Sequence, residues 1–185
     1  MDVVLSMLGL VGGLGGLAFG LFQYYRAQRL RSAEFAANEV LRWVDLRETR
    51  MVMGMLEWVE REVALEYVDG SSQYRHELVR NDEMAAALVP HTERQLTAKE
   101  CAIRALFDRF LFGLQRFEHF MAAGVVRQSD FEPFLRYYIE LMGRTPSPRM
   151  PAASQEALWR YLDFYEQRDV QRLFARFGCD VKPRK

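Results

Sequence analysis

Cysteine is scarce in these 185 residues, Cys101 and Cys179 being the only two. Neither belongs to a CxxC or Cys/His spacing, which excludes a disulfide framework and a structural zinc site and leaves two free thiols of a reducing compartment. Histidine is nearly as rare. His76, His91 and His119 fit neither HExxH nor ExxH, the helical spacings that put two ligands on one face, so a zinc hydrolase or a di-iron bundle lacks its ligand set. There is no GxxxxGK[ST], no GxGxxG after a strand and no GxSxG elbow, and glycine-rich loops are missing beyond the N-terminal segment. An excess of one charge is also missing: 25 basic residues balance 25 acidic ones, which removes the global attraction that nucleic acid binding requires. No cofactor and no metal are expected.

One polar set invites a catalytic reading. Cys101, Asp108, Gln115 and His119 recur at steps of seven, seven and four, near one side of a helix. At 1.5 Å per residue the ends of that set stand about 27 Å apart, so they cannot act on one atom. Arg104 with Asp108 reads instead as an i,i+4 pair on a solvated face, and His119 as a partly buried residue beside Glu118. No catalytic residue is assigned, and the aromatics Trp43, Trp58, Trp159, Tyr137 and Tyr138 are read as core.

What the chain does have is a long uncharged start. From Val3 to Tyr25 no side chain is charged, and 1–25 is expected to be a transmembrane helix, followed by a helical cytoplasmic domain over 26–185. Tyr24 and Tyr25 would sit at the interface with Arg26, Arg29 and Arg31, and the positive-inside rule then predicts a single-pass protein of the inner (cytoplasmic) membrane. A cleaved signal peptide would need a basic n-region and a small-x-small cleavage site, and neither is present. A buried core hairpin is the other competitor, because the glycines lower helix propensity. Gly9 and Gly13, with Gly12, Gly16 and Gly20, lie at four-residue intervals where helices can approach closely, which predicts a helix–helix contact. The partners expected are membrane lipids, further copies of the chain in a homo-oligomer, or another membrane protein.

The remainder reads as helices. Phe35, Leu41 and Val44 recur at roughly helical spacing with no break after the arginines, so the first helix is expected to continue. Val52, Met55, Leu56, Val59, Val63 and Tyr67 predict a second helix that stops near Asp69 and Gly70. Residues 71–91 read as a polar connection with one short helix, Asp82 to Val89, capped by Asn81. Thr97 and Glu100 form a capping box in front of Ile103, Phe107, Phe110, Leu114, Phe117 and Met121, a stripe assigned to the core rather than to a coiled-coil partner, and Gly124 stops that helix. Further helices are predicted from Ser129 or Asp130 to Gly143, with Phe131, Phe134, Leu135, Tyr138, Ile139 and Met142 inward, from Ser154 through Tyr165, and from Asp169 to Phe177. The prolines at 146, 148 and 151 mark a loop. No run alternates with β-branched enrichment, so the expected fold class is all-α: one transmembrane helix and a helical bundle.

The segments LGLVGGLGGLAFGLFQYYRAQRLRSAEFAANEVLRWV and FDRFLFGLQRFEHFMAAGVV resemble a loose group of bacterial single-pass membrane proteins of unknown function with a helical cytoplasmic domain. The resemblance implies that layout and transfers no catalytic residue. Two functions are expected: a membrane-anchored, non-enzymatic interaction protein serving as an accessory subunit of a larger membrane complex, or a ligand-sensing membrane effector whose glycine-rich helices oligomerise and perturb the membrane.

Overall fold

The structure, a computed structural model, describes residues 2–67, 74–144 and 147–179, with side-chain surroundings from residue 15 onward. Its order is α1 (Asp2–Asp45), α2 (Arg47–Glu57), β1 (Glu60–Glu66), β2 (Tyr74–Arg80), α3 (Asn81–Ala87), α4 (Ala98–Ala122), α5 (Gln128–Gly143), α6 (Ala152–Phe164) and α7 (Arg168–Arg176). The first helix does run on unbroken, and extended backbone at Leu46 separates it from α2.

The expected membrane span is corrected. Among the described residues no helix is long and apolar enough to cross a membrane. Within the part of α1 whose side chains are described, Gly15, Gly16 and Gly20 lower the hydropathy before the uncharged run ends at Tyr25, and Arg26, Arg29, Arg31 and Glu34 follow it. The earlier part of the run, 3–14, with Gly9, Gly12 and Gly13, lies outside the residues whose side chains are described. The single-pass, inner-membrane location with a cytoplasmic C-terminal domain rested on that span and is corrected with it.

The all-α expectation is corrected as well, because β1 and β2 pair antiparallel from Glu60↔Arg80 to Glu66↔Tyr74. The ambiguity was in the spacing. Val59, Val63 and Tyr67 stand four apart, an interval shared by a 3.6-residue and a 2-residue period, and the second period wins: Val63, Leu65 and Tyr67, two apart, are buried, and Val59 lies exposed before the strand begins. The predicted stop at Asp69 and Gly70 lies outside the described residues. Arg47 donates to the carbonyl of Ala64 at 2.6 Å with its guanidinium 3.3 Å from the Tyr74 ring centre. Lys99 Nζ donates to the Leu78 carbonyl at 2.7 Å and to Glu83 at 2.6 Å, fastening the hairpin to α4.

Helix α4 is the axis of the body. Its capping box forms as expected, Glu100 N–H donating to Thr97 Oγ1 at 3.2 Å and Thr97 N–H to Glu100 Oε2 at 2.8 Å, and all six residues of its apolar stripe are buried within the chain. Gly124 ends the turn after it with φ +69°, the left-handed conformation that glycine adopts without strain. Around this axis α1 buries Ala36, Val40 and Trp43, leaving Leu41 exposed against expectation; α5 buries Phe131, Leu135, Ile139 and Met142 but exposes Phe134; α6 and α7 close the other side with Leu158, Leu162, Val170 and Phe174.

One side chain carries the join between α1 and α4. The Trp43 indole stacks against Phe110 and Phe117, with ring centres 5.0 and 5.2 Å away, and it lies directly over Gly113. A Cβ on Gly113 would fall 2.0 Å from Trp43 Nε1, a distance no side chain can occupy, so Gly113 is the socket that admits the indole.

Gly113→Ala is therefore expected to destabilise the fold by about 3 kcal/mol, the upper end for overpacking, and urea unfolding followed by Trp fluorescence measures it; a midpoint equal to wild type would refute the socket. A second outcome concerns acid. Arg94 grips both oxygens of Glu100, at 2.9 and 2.7 Å, and together with the Thr97 cap holds this carboxyl down at about 2 despite its partial burial. Since the folded value is depressed, the stabilisation is complete above about pH 4.5 and is lost as pH falls towards 2. Thermal melts across that window should show a shallower acid limb in Glu100→Gln than in wild type.

Candidate interaction surface

The sequence of α1 divides it physically into two halves. From Ser32 onward one stripe is buried on α4 and α5, and Glu39, itself buried, is held by Arg42 at 2.9 Å and by Arg116 of α4. From Gly15 to Arg31 every residue is exposed. This second segment nevertheless carries Leu17, Phe19, Leu21, Phe22, Tyr24, Tyr25 and Leu30, each at least half exposed. At 3.6 residues per turn, Tyr24, Leu17, Leu21, Tyr25, Phe22 and Phe19 sweep roughly 220° of the circumference. The remaining side is flat, formed by Gly16, Gly20 and Gln23.

Of the residues expected to make helix–helix contact, Gly16 and Gly20 are open, with no atom within 4 Å of where a Cβ would stand. Tyr24 and Tyr25 pack edge to face at 5.9 Å and are exposed, as are Arg26, Arg29 and Arg31. Tyr25 and Arg29 also line a cleft of about 530 Å³ where α1 leaves the body. Its opposite wall is the turn between α4 and α5, where Ser32 Oγ donates to Asp130 Oδ2 at 2.9 Å and the same oxygen accepts the Arg127 N–H at 3.1 Å. Sequence reasoning missed Ser32, Arg127 and Asp130 as a group. Ser129 and Asp130 were legible only as a helix start, and nothing in the spacing links them to a residue nearly a hundred positions earlier.

The polar residues on α4 are distributed as fastenings. Asp108 accepts the Tyr161 hydroxyl, and together with burial this raises the Tyr161 phenol well above its ordinary value. The expected Arg104–Asp108 pair does not form: Arg104 donates to the carbonyls of Ala87, at 2.8 Å, and Val89, and lies over the rings of Tyr161 and Tyr165. Gln115 pairs with Gln167 of the α6–α7 turn. Cys101 is an exposed free thiol and Cys179 a buried one. His119 is exposed rather than partly buried, and the buried polar residue is its neighbour Glu118, whose Oε2 accepts from Arg176 Nε at 2.7 Å while Arg172 stands 3.9 Å from its Oε1. These contacts tie α4 to α3, α6 and α7; Arg104 and Asp108 meet at Tyr161, while Gln115 and Glu118 reach separate partners. Comparison with known proteins finds no matching family model, no matching curated protein and no matching solved structure.

Because Glu118 is almost wholly buried, removing its closest cation leaves an uncompensated charge in the interior. Arg176→Ala should cost about 3 kcal/mol in chemical denaturation, with Arg176→Lys recovering part of it, whereas a loss below about 0.5 kcal/mol would mean that Glu118 is satisfied by other means.

Proposed function

We propose that the chain is a non-enzymatic interaction protein, and that the projecting half of α1 is its docking element, packing against the same segment of further copies. The observation that carries this reading is the exposure of seven large apolar side chains on a helix that nothing among the described residues covers. A helix apolar over more than half of its circumference is normally enclosed, and contiguous apolar surface of this kind marks an association site. A single neighbouring helix covers only one side of it. Two unlike sides, one flat at Gly16 and Gly20 and one bulky at Leu17, Leu21 and Phe22, suit head-to-tail packing in which the bulky side of one copy seats on the flat side of the next. Such heterologous contacts build rings when the rotation between copies closes and open filaments when it does not. The body, with its axis fixed through Trp43 and Glu39, holds this helix out at a defined angle.

Sedimentation equilibrium of the full chain at micromolar concentration should give at least three copies per particle. Leu17→Asp with Leu21→Asp should return it to a monomer with an unchanged melting temperature of the body, and Gly16→Leu should reduce the copy number. A wild-type monomer under these conditions, or a particle indifferent to all three substitutions, would sink the proposal, as would recovery of the helix only in lipid vesicles.

A further inference from the structure

The cleft at the root of α1 has a chemistry that the docking role does not use. Its volume of about 530 Å³ falls within the roughly 300–1,000 Å³ typical of small-molecule sites. Its lining is rich in donors: the guanidinium groups of Arg29 on α1 and of Arg127 at the α4–α5 turn, the Gln28 amide and the Ser129 hydroxyl. Asp130 is the one carboxylate of the lining, and it is already engaged by Ser32 at 2.9 Å and by the Arg127 backbone at 3.1 Å, which also makes it the cap of α5. The guanidinium pair, rather than the helix end, is therefore the free cationic feature. Elsewhere Arg116, Arg136 and Arg176 each reach a carboxylate, but Arg29 and Arg127 meet none among the described residues. Both arginines line one cleft from separate elements, and an anion seated in it offers each guanidinium a charge-assisted hydrogen-bonding partner.

We propose that this cleft binds a phosphate group, held by Arg29 and Arg127 with Ser129 and Gln28 donating to its remaining oxygens. Planar guanidinium forks match phosphate oxygens in pairs, which a point-charge lysine would not, and both cations of the cleft are arginines. The group can come from a free phosphate compound or from a lipid headgroup, and the two sources are separable. The cleft adjoins the docking surface, sharing Tyr25 and Leu30 with it, but none of the bulky residues from Leu17 to Phe22 lines it, so substitutions there separate the two roles.

Isothermal titration of the full chain with inorganic pyrophosphate at low salt is the direct test, run beside vesicles of phosphatidylglycerol and of phosphatidylcholine. Arg29→Gln and Arg127→Gln should each weaken binding by at least about tenfold, while Arg136→Gln, whose carboxylate partners lie elsewhere, should leave it unchanged. Pyrophosphate binding with that pattern assigns a free phosphate compound. Binding confined to phosphatidylglycerol vesicles with the same pattern assigns a headgroup phosphate. No binding to either, or binding that survives both cleft substitutions, overturns the proposal. Both arginines are exposed, so matching thermal melts establish that the variants are folded, and Leu17→Asp should not alter the titration.

Discussion

The contact between the Trp43 indole and the backbone of Gly113 is what the arrangement of this protein turns on. A residue with no side chain on the axis helix lets the largest side chain of α1 sink between Phe110 and Phe117 and rest on the backbone of α4. Glu39 and Arg116 add a charged fastening one turn earlier, and Ser32 with Asp130 adds a polar one where the helix departs. These three points lie on one side of α1 over about 17 Å of its length, from Ser32 to Trp43 at 1.5 Å per residue. They fix the direction of everything that precedes them. The exposure of the first half of α1 is thus a consequence of a well-anchored second half.

The same logic explains the polar residues of α4. A long helix that must bury one face on several other elements has polar positions at the seams: Arg104 reaches the carbonyls of α3 and its following loop and shares Tyr161 with Asp108, Gln115 meets Gln167, and Glu118 meets Arg176. Regular spacing along the helix follows from regular packing around it. What looks in sequence like a set of chemical groups is a row of separate ties, and the distance between the first and last of them already forbids a shared reaction.

Much of the fold was legible because helical periodicity and end signals agreed. The stripe from Ile103 to Met121, the capping box at Thr97 and Glu100, and the glycine stops at 124, 143 and 178 all state the same helices that the structure contains. The hairpin was hidden because β1 is only seven residues long and its inward positions coincide with a helical interval, while β2, YRHELVR, carries a single buried residue, Val79, and so no visible pattern. The uncharged start misled for a different reason: hydrophobicity along a sequence says that a segment needs an apolar neighbour and not which kind. Of the surface proposed here, Gly16, Gly20, Tyr24, Tyr25 and Arg29 could be named from sequence; the wall opposite them, built from Arg127 and Asp130, could not, since its placement depends on how α1 crosses the α4–α5 turn.

The absence of any interruption in α1 has a mechanical side. A helix that continues without a break from the Trp43 anchorage back to Asp2 behaves as a stiff rod, with the body as its bearing and the cleft beside the point of support. Some thirty residues beyond that support amount to about 45 Å, so a tilt of 10° at the root displaces the far end by about 8 Å. Small adjustments in the packing around Ser32 are thereby magnified at the tip, and a change too slight to disturb the core is enough to redirect where the rod points.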